Sequence, residues 1–237
     1  MIDLSADMGE GSPGEEEIWP LISSANVACG GHVGDAKSMA HASRRARELS
    51  VRLGAHPSYP DRPNFGRKSM SMSPAALRAS LSEQIAALRE VANREGVVLR
   101  HVKPHGALYN DAHHDRNLAG VIVDALRQVD RALAIVVPDA SQMASAARAA
   151  GTPVVREAFA DRRYNADGSL VSRKEAGSLL TVDEAADQAE MLVRERAVVA
   201  RDGSRVRVAF DTICIHADME NAVERLRAIR KRLGGIR

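Results

Sequence analysis

HVKPHGALYN, residues 101–110, places His101, Lys103 and His105 at alternate positions along a short apolar run. Successive side chains of a β-strand point to opposite faces, so these three are predicted to share one face. A proline and a glycine then interrupt the run, and both residues are typical of the end of a strand. We therefore predict a strand that carries an ammonium and an imidazole to its C-terminal end.

Six other apolar runs end in a polar cluster in the same way. With the first, they cover residues 2–7, 23–30, 51–58, 98–106, 134–139, 154–161 and 211–218. Amphipathic helices are predicted between them, at 36–50, 73–96, 115–130, 140–151, 181–196 and 220–235. This alternation indicates parallel β/α units. A closed seven-stranded (β/α) barrel fits a chain with a strand first and a helix last. A doubly wound sheet is the open alternative, although the glycine-rich dinucleotide fingerprint is missing.

Composition is that of an ordinary globular protein, and we expect one domain over residues 1–237. The net charge is +2, the cations are scattered over helical faces and aromatics make up 3%, which disfavours nucleic-acid binding. No apolar run approaches the roughly 20 residues that span a bilayer. The acidic N-terminus does not resemble a signal peptide, and two cysteines in apolar segments favour a reduced, cytoplasmic protein.

Ionisable side chains follow every run at its C-terminal end. In a β/α barrel those ends share one face, which is where catalytic residues lie. An Asp at such an end is also a common helix N-cap, so Asp139 is left out of the site and Asp218 is ambiguous. The remaining strand-end candidates are Asp7, Glu10, His32, Asp35, His56, Tyr59, Asp61, Lys103, His105, Glu157, Asp161 and His216.

Several of these residues offer nitrogen and oxygen donors for a divalent cation. No H-E-x-x-H spacing selects the ligands, so metal binding stays open. Neither a P-loop nor a G-x-S-x-G elbow is present, which excludes those ATP and serine-hydrolase sites. Cys29 lies close to His32, but its apolar neighbours favour a buried, inert thiol. The donor set comprises Asp7, His32, His56, His105, Glu157 and His216.

Six ordered motifs resemble those of the LamB/YcsF family and cover essentially the whole chain. They are DLSADMGE, SSANVACGGHVGD, GAHPSYPDRPNFGR, HVKPHGALYN, EAFADRRYNADGSLVSR and TICIHAD. The resemblance implies a seven-stranded (β/α) barrel of the glycoside hydrolase/deacetylase type. It also implies the A subunit of an ATP-dependent 5-oxoprolinase, which opens the lactam ring of 5-oxo-L-proline with subunits B and C and releases L-glutamate. With no P-loop here, ATP is expected to act through the partner subunits.

The resemblance and the strand-end pattern together assign expected roles. Catalytic roles are expected for Asp7, His56, Lys103, His105 and Glu157. Substrate-binding roles are expected for Glu10, Asn26, Tyr59, Arg67, Tyr109 and Asp161, and metal-binding roles for His32 and His216.

Within these roles, Lys103 or Arg67 would pair with the substrate carboxylate. His56 or His105 would transfer the proton at the ring nitrogen, and Asp7 or Glu157 would activate water, alone or through a metal. Two other functions remain open. One is a stand-alone metal-dependent amidohydrolase or carbohydrate deacetylase, and the other is a non-catalytic lactam-binding subunit.

Overall fold

Seven parallel strands close into a barrel in the computed structural model, which describes residues 2–173 and 175–234. The described residues form nine strands, which are β1 (Asp3–Met8), β2 (Ser24–Ala28), β3 (Arg52–His56), β4 (Leu99–Val102), β5 (Ala134–Val137), β6 (Val154–Phe159), β7 (Ala197–Val199), β8 (Arg205–Arg207) and β9 (Thr212–Ile215). All but β7 and β8 belong to the barrel. The barrel order is β1-β2-β3-β4-β5-β6-β9, and β9 pairs with both β1 and β6. The predicted barrel is confirmed, and the doubly wound alternative is excluded.

Eight α-helices occur within the described residues. They are α1 (Glu15–Ile18), α2 (Ala36–Leu49), α3 (Pro74–Arg94), α4 (Gly106–His114), α5 (Arg116–Val129), α6 (Gln142–Ala149), α7 (Val182–Glu195) and α8 (Ala222–Leu233). All six predicted helices are present, although the predicted end of the last one, residue 235, lies outside the described residues. Among the helices in residues 2–173 and 175–234, none is both long and apolar enough to cross a membrane.

The sequence patterns missed two α-helices, α1 and α4, and the antiparallel hairpin of β7 and β8. Helix α4 begins at Gly106, directly after the polar end of β4, so the turn residues that end the strand also start a helix. The hairpin strands are three residues long and largely polar, which leaves no hydrophobic alternation to detect.

Side-chain caps explain where two predicted helices begin. The Asp35 carboxylate accepts hydrogen bonds from the backbone N–H groups of Lys37 and Ser38 and forms a capping box at the start of α2. A second capping box starts α7. The Thr181 hydroxyl accepts from the backbone N–H of Glu184, and the Glu184 carboxylate accepts from the backbone N–H of Thr181. The strand-end residue Asp35 is therefore a helix cap.

Polar side chains line the inside of the barrel, and the apolar core lies between the barrel and its helices. Along β1, Leu4, Ala6 and Met8 belong to the apolar core. The alternate residues Ser5 and Asp7 contact polar side chains of other barrel strands. The period of two therefore places charged groups on the barrel axis, where branched aliphatic residues fill most (β/α) barrels.

Gly106 gives a test of the connection that follows β4. Its φ of +58° and a Cβ position 2.6 Å from the Gly66 carbonyl oxygen exclude a side chain. We expect Gly106→Ala to lower the free energy of unfolding by about 2–3 kcal/mol in urea titrations followed by circular dichroism. The control Gly120→Ala lies in α5 with nothing within 4 Å of its Cβ position, and should raise stability by up to about 1 kcal/mol. Equal effects of the two substitutions would contradict this account.

Candidate active site

The buried ammonium of Lys103 lies at the centre of a cluster at the C-terminal ends of the strands. Its side chain is 3% exposed. Nζ lies 2.9 Å from Asp7 Oδ1, 3.0 Å from Cys214 Sγ and 3.1 Å from Glu157 Oε1. Burial alone would lower the pKa of Lys103, but Asp7 and its other anionic neighbours hold it well above its usual value. Lys103 is therefore charged, and its three N–H donors face three protein acceptors.

Asp7 is held as a carboxylate by the groups around it. Oδ1 accepts hydrogen bonds from Lys103 Nζ and from Asn26 Nδ2, both at 2.9 Å. Oδ2 lies 3.4 Å from His56 Nε2. Burial would raise the pKa of Asp7, but His56 and Lys103 outweigh it and hold the pKa well below the usual range. Oδ2 is the less strongly held of the two oxygens, and it is the one available to contact water or substrate.

Glu157 is oriented by a phenol as well as by the lysine. The Tyr109 hydroxyl donates to Glu157 Oε2 at 2.8 Å. Burial, and then the Glu157 carboxylate, raise the pKa of Tyr109 well above its usual value, so the phenol keeps its proton. Glu157 Oε1 is buried and has no well-directed hydrogen bond in the described residues, only its ion pair with Lys103. This oxygen keeps lone pairs for a ligand or water.

Backbone carbonyls fix the ring protons of two facing histidines. His56 Nδ1 lies 2.7 Å from the Lys103 carbonyl oxygen, and His105 Nε2 lies 2.9 Å from the Phe65 carbonyl oxygen. A carbonyl only accepts, so each of these nitrogens carries hydrogen. The remaining nitrogens, His56 Nε2 and His105 Nδ1, face each other at 3.0 Å. If both rings were neutral, each of these nitrogens would point a lone pair at the other, and the two lone pairs would repel. A metal ion or a proton between the nitrogens removes this repulsion.

Glu10 completes a donor set that fits a divalent metal ion. Its Oε1 lies 3.6 Å from His105 Nδ1 and 3.9 Å from His56 Nε2. The three donor atoms lie within 4.8 Å of one another. Two imidazole nitrogens and one carboxylate suit transition metals, and the carbonyl partners of both rings provide the usual outer support.

A proton on His56 is the alternative to a metal between the two rings. Burial would lower the pKa of His56, but Asp7 outweighs it and raises the pKa above its usual value. Burial and then His56 lower the pKa of His105 to about 2, so this ring stays neutral and can accept the shared proton. A metal ion or a shared proton would therefore each stabilise the close approach of His56 Nε2 and His105 Nδ1.

The predicted metal ligands His32 and His216 lie outside this donor set. His32 stacks on His105 with ring centroids 3.7 Å apart, and its Nε2 lies 3.0 Å from Glu10 Oε1. Burial and then His56 lower the pKa of His32 to about 3, so this ring is neutral. Burial raises the pKa of Glu10 itself to about 8.

His216 forms a separate pair with Asp161. His216 Nδ1 and its backbone N–H lie 2.9 Å and 2.8 Å from Asp161 Oδ2. The ring stacks on Phe159. Burial would raise the pKa of Asp161, but His216 outweighs it and lowers the pKa to about 2. The pair is thus a charge-assisted support at the end of β9.

Other predicted residues surround the cluster without joining it. The Tyr59 hydroxyl donates to Asp111 at 3.1 Å, and Arg67 pairs with Asp218. Arg173 Nη1 also donates to Asp218, at 3.3 Å. The thiol of Cys29 is buried, which raises its pKa to about 12.

The interpretation of Asp139 as a helix cap is wrong, and Asp218, for which a cap role was left open, is not a cap either. Ser141 caps α6, whereas Asp139 pairs with Arg148 on the surface. Asn221 occupies the N-cap position of α8, and Asp218 instead pairs with arginines. Proximity to a helix start in the sequence does not by itself decide which residue caps it.

Sequence reasoning also missed two residues that build the site. The Glu15 carboxylate accepts from the backbone N–H groups of Gly9 at 2.5 Å and Gly11 at 2.9 Å, which shapes the loop that carries Glu10. No sequence signal identifies this contact. Cys214 could have been found, since it precedes His216 by two positions and shares its strand face.

The barrel and the ionisable cluster at its C-terminal face define a (β/α)-barrel protein with the site geometry common to enzymes of that fold. The chain belongs to the LamB/YcsF family, whose profile matches residues 2–236. This confirms the resemblance predicted from the motifs.

Relatives and solved structures agree with this membership. A protein from Chloroflexus aggregans, named as the A subunit of 5-oxoprolinase, is 47% identical over 236 residues, covering 97% of this chain and 93% of the relative. The crystal structure of a lactam utilization protein from Thermus thermophilus superposes with a TM-score of 0.92 at 43% identity, covering 98% and 96% of the two chains. A putative cellobiose-phosphate cleavage protein from Enterococcus faecalis has a TM-score of 0.56 at 10% identity, covering 98% and 93%, which shows the fold alone.

Removing the buried ammonium tests its role. Lys103→Met leaves Asp7 and Glu157 as buried carboxylates without their cation, so we expect the free energy of unfolding to fall by about 3–5 kcal/mol. The control Lys37→Met removes an exposed lysine and should change stability by less than about 0.5 kcal/mol. Urea unfolding of both variants at neutral pH measures the difference. A Lys103→Met protein as stable as wild type would refute the central position of this ammonium.

Proposed function

We propose that this chain is the A subunit of an ATP-dependent 5-oxoprolinase, which cleaves the lactam of 5-oxo-L-proline (pyroglutamate) to L-glutamate together with subunits B and C. The names of the Chloroflexus relative and of the Thermus protein support this assignment. The observation that carries it is the buried cluster of Asp7, Lys103 and Glu157 beside the His56–His105 pair. Such a constellation supplies the base, the acid and the charge stabilisation that amide hydrolysis requires.

Energy from ATP would enter through the partner subunits. A five-membered lactam is a stable amide, and the chain has no P-loop to bind the nucleotide. The word "subunit" in the name of the Chloroflexus relative supports an assembly with partners. We place this assembly in the cytoplasm, where the two buried cysteines stay reduced.

In the proposed reaction water is the nucleophile. Asp7 takes a proton from the water through Oδ2 as the water oxygen bonds to the lactam carbonyl carbon. The ring C–N bond then breaks, and His56 delivers a proton to the departing nitrogen. The product carries a new carboxyl group and a free amine on the same molecule. The hydroxyl of one water is then on the carbonyl carbon, and the proton gained by the nitrogen balances the one that Asp7 took from the water.

Lys103 acts in this scheme through charge and not through direct contact with substrate. Its donors already face Asp7, Glu157 and Cys214, so it stabilises negative charge on the two acids. Arg67 is the better partner for the substrate carboxylate, because its guanidinium is half exposed and already binds the carboxylate of Asp218.

A divalent metal ion is proposed as the alternative occupant of the His56–His105 pair, in place of the proton that His56 delivers in the scheme above. Glu10, His56 and His105 would hold it. When bound, such an ion would polarise the carbonyl or lower the pKa of a bound water. His32 would position Glu10 through its 3.0 Å hydrogen bond.

The same donor set favours a second candidate function, a stand-alone metal-dependent amidohydrolase or carbohydrate deacetylase. It would work without ATP and without partners. A non-catalytic lactam-binding subunit is less consistent with the site, because binding one small anion does not require three ionisable groups buried against one another.

Glutamate release from 5-oxoproline decides between these functions. We would measure it with ATP for this chain alone and for the chain mixed with subunits B and C. Activity only in the mixture supports the proposal. No activity in the mixture, with amide or acetyl hydrolysis by the isolated chain, would support the stand-alone hydrolase.

Substitution of the two acids tests their catalytic roles. Asp7→Asn and Glu157→Gln keep the side-chain volumes but remove the charges, so we expect kcat of the mixture to fall at least about 100-fold. Asp139→Asn is the matched control, since Asp139 also follows a barrel strand but pairs with Arg148 outside the cluster. Loss of activity in the control, or full activity in Asp7→Asn, would contradict the assignment.

Metal binding is tested by titrating Zn²⁺ into chelator-treated protein in a calorimeter. We expect one ion per chain, and a Kd at least about 10-fold weaker in Glu10→Gln and 100-fold weaker in His105→Ala, because each removes one donor. His41→Ala removes an exposed histidine outside the set and should leave the Kd unchanged. If wild-type protein binds no ion, or His105→Ala binds it equally well, the shared proton and not a metal occupies the histidine pair.

A further inference from the structure

A cavity opens at the end of the barrel opposite the candidate active site, where the strands begin. Its volume is about 470 Å³, which is within the range of small-molecule sites. Residues at the starts of β1, β2, β3 and β9 line it, and its lining includes the side chains of Asn26 and His101 inside the barrel. The candidate active site lies at the opposite ends of the same strands.

The hydrogen bonds around His101 leave one acceptor unused in this cavity. Asn26 Nδ2 donates to Asp7 Oδ1 at 2.9 Å, so the Asn26 carbonyl oxygen is the atom that lies 2.9 Å from His101 Nε2. His101 Nε2 therefore carries the ring hydrogen. Burial lowers the pKa of His101 to about 4, which keeps the ring neutral and leaves a lone pair on Nδ1. Nδ1 has no hydrogen-bond partner within residues 2–173 and 175–234.

The His101 ring is also held in place. A Cβ at Gly54 would lie 2.1 Å from His101 Nε2, so only glycine on β3 leaves room for the ring. The side chain is 6% exposed. Because His101 lines the cavity, this fixed Nδ1 acceptor can take a hydrogen bond from a ligand or water there.

The lining of the cavity carries excess positive charge. Arg52 pairs with Asp3 at 2.5 Å. Asp211 pairs with an arginine just outside the cavity. Arg100, in contrast, makes no ion pair or hydrogen bond in the described part of the chain. Arg196 donates to a backbone carbonyl and packs on a phenyl ring, and forms no ion pair with the described residues.

We propose that this cavity binds a small carboxylate that also carries an N–H or O–H donor, the chemistry of an α-amino acid or an α-hydroxy acid. The carboxylate lies against Arg100 and Arg196, and the donor faces His101 Nδ1. Arginine suits carboxylates because its planar N–H groups bind both oxygens. The site contacts the catalytic end through the Asn26 side chain, which hydrogen-bonds both His101 and Asp7.

Calorimetric titration of the isolated full chain tests this site without partners or turnover. L-glutamate is also the product of the proposed function, so the variants below separate binding here from binding at the catalytic mouth. L-glutamate, acetate and inorganic phosphate are the probes. We expect L-glutamate to bind at least about fivefold more tightly than acetate, which lacks the donor, and more tightly than phosphate. Arg100→Gln should weaken L-glutamate binding at least about tenfold, because it removes a charged partner.

Two further variants show at which end of the barrel L-glutamate binds. Arg78→Gln removes an exposed arginine on α3 and should leave the L-glutamate affinity unchanged. Arg67→Gln alters the opposite mouth of the barrel, where the proposed function places L-glutamate as product, and should leave in place the binding that Arg100→Gln removes. Loss of binding in Arg67→Gln but not in Arg100→Gln would assign the ligand to the catalytic mouth and overturn the proposal. Absence of binding by any probe, or tighter binding of phosphate than of L-glutamate, would overturn it as well.

Discussion

The charge of one buried ammonium constrains both the fold and the site. Lys103 extends from the end of β4 to acceptors on β1, β6 and β9: Asp7, Glu157 and Cys214. Moving an ammonium out of water costs several kcal/mol unless such acceptors are in place. The four strands must therefore close around Lys103 in one register, and the barrel in turn holds the two acids beside the histidines.

Alternation of strands and helices was enough to predict seven barrel strands and six helices. It was not enough to show closure, because closure depends on β9 pairing with both β1 and β6, contacts between residues far apart in the sequence. The β7–β8 hairpin escaped detection because its strands are short and polar. Helix α4 was missed because Gly106 could be interpreted only as the end of a strand.

The positions of the site residues were more predictable than their contacts. A period of two brought Lys103 and His105 to one face, and both lie in the cluster. The ring protons of His56 and His105 depend on backbone carbonyls, one of them at Phe65 in a distant loop, which no residue pattern reveals. The same limit explains why Glu10, expected to bind substrate, joins the metal-compatible set.

Side-chain NMR of Lys103 tests the central claim most directly. In protein labelled with ¹⁵N and ¹³C, the account predicts a resolved ammonium signal for Lys103 at neutral pH, with slow hydrogen exchange and no loss of the proton up to the alkaline limit of folding. The physical reasons are its raised pKa and its three buried acceptors. A neutral amine, or an ammonium exchanging as fast as the exposed lysines, would contradict the account.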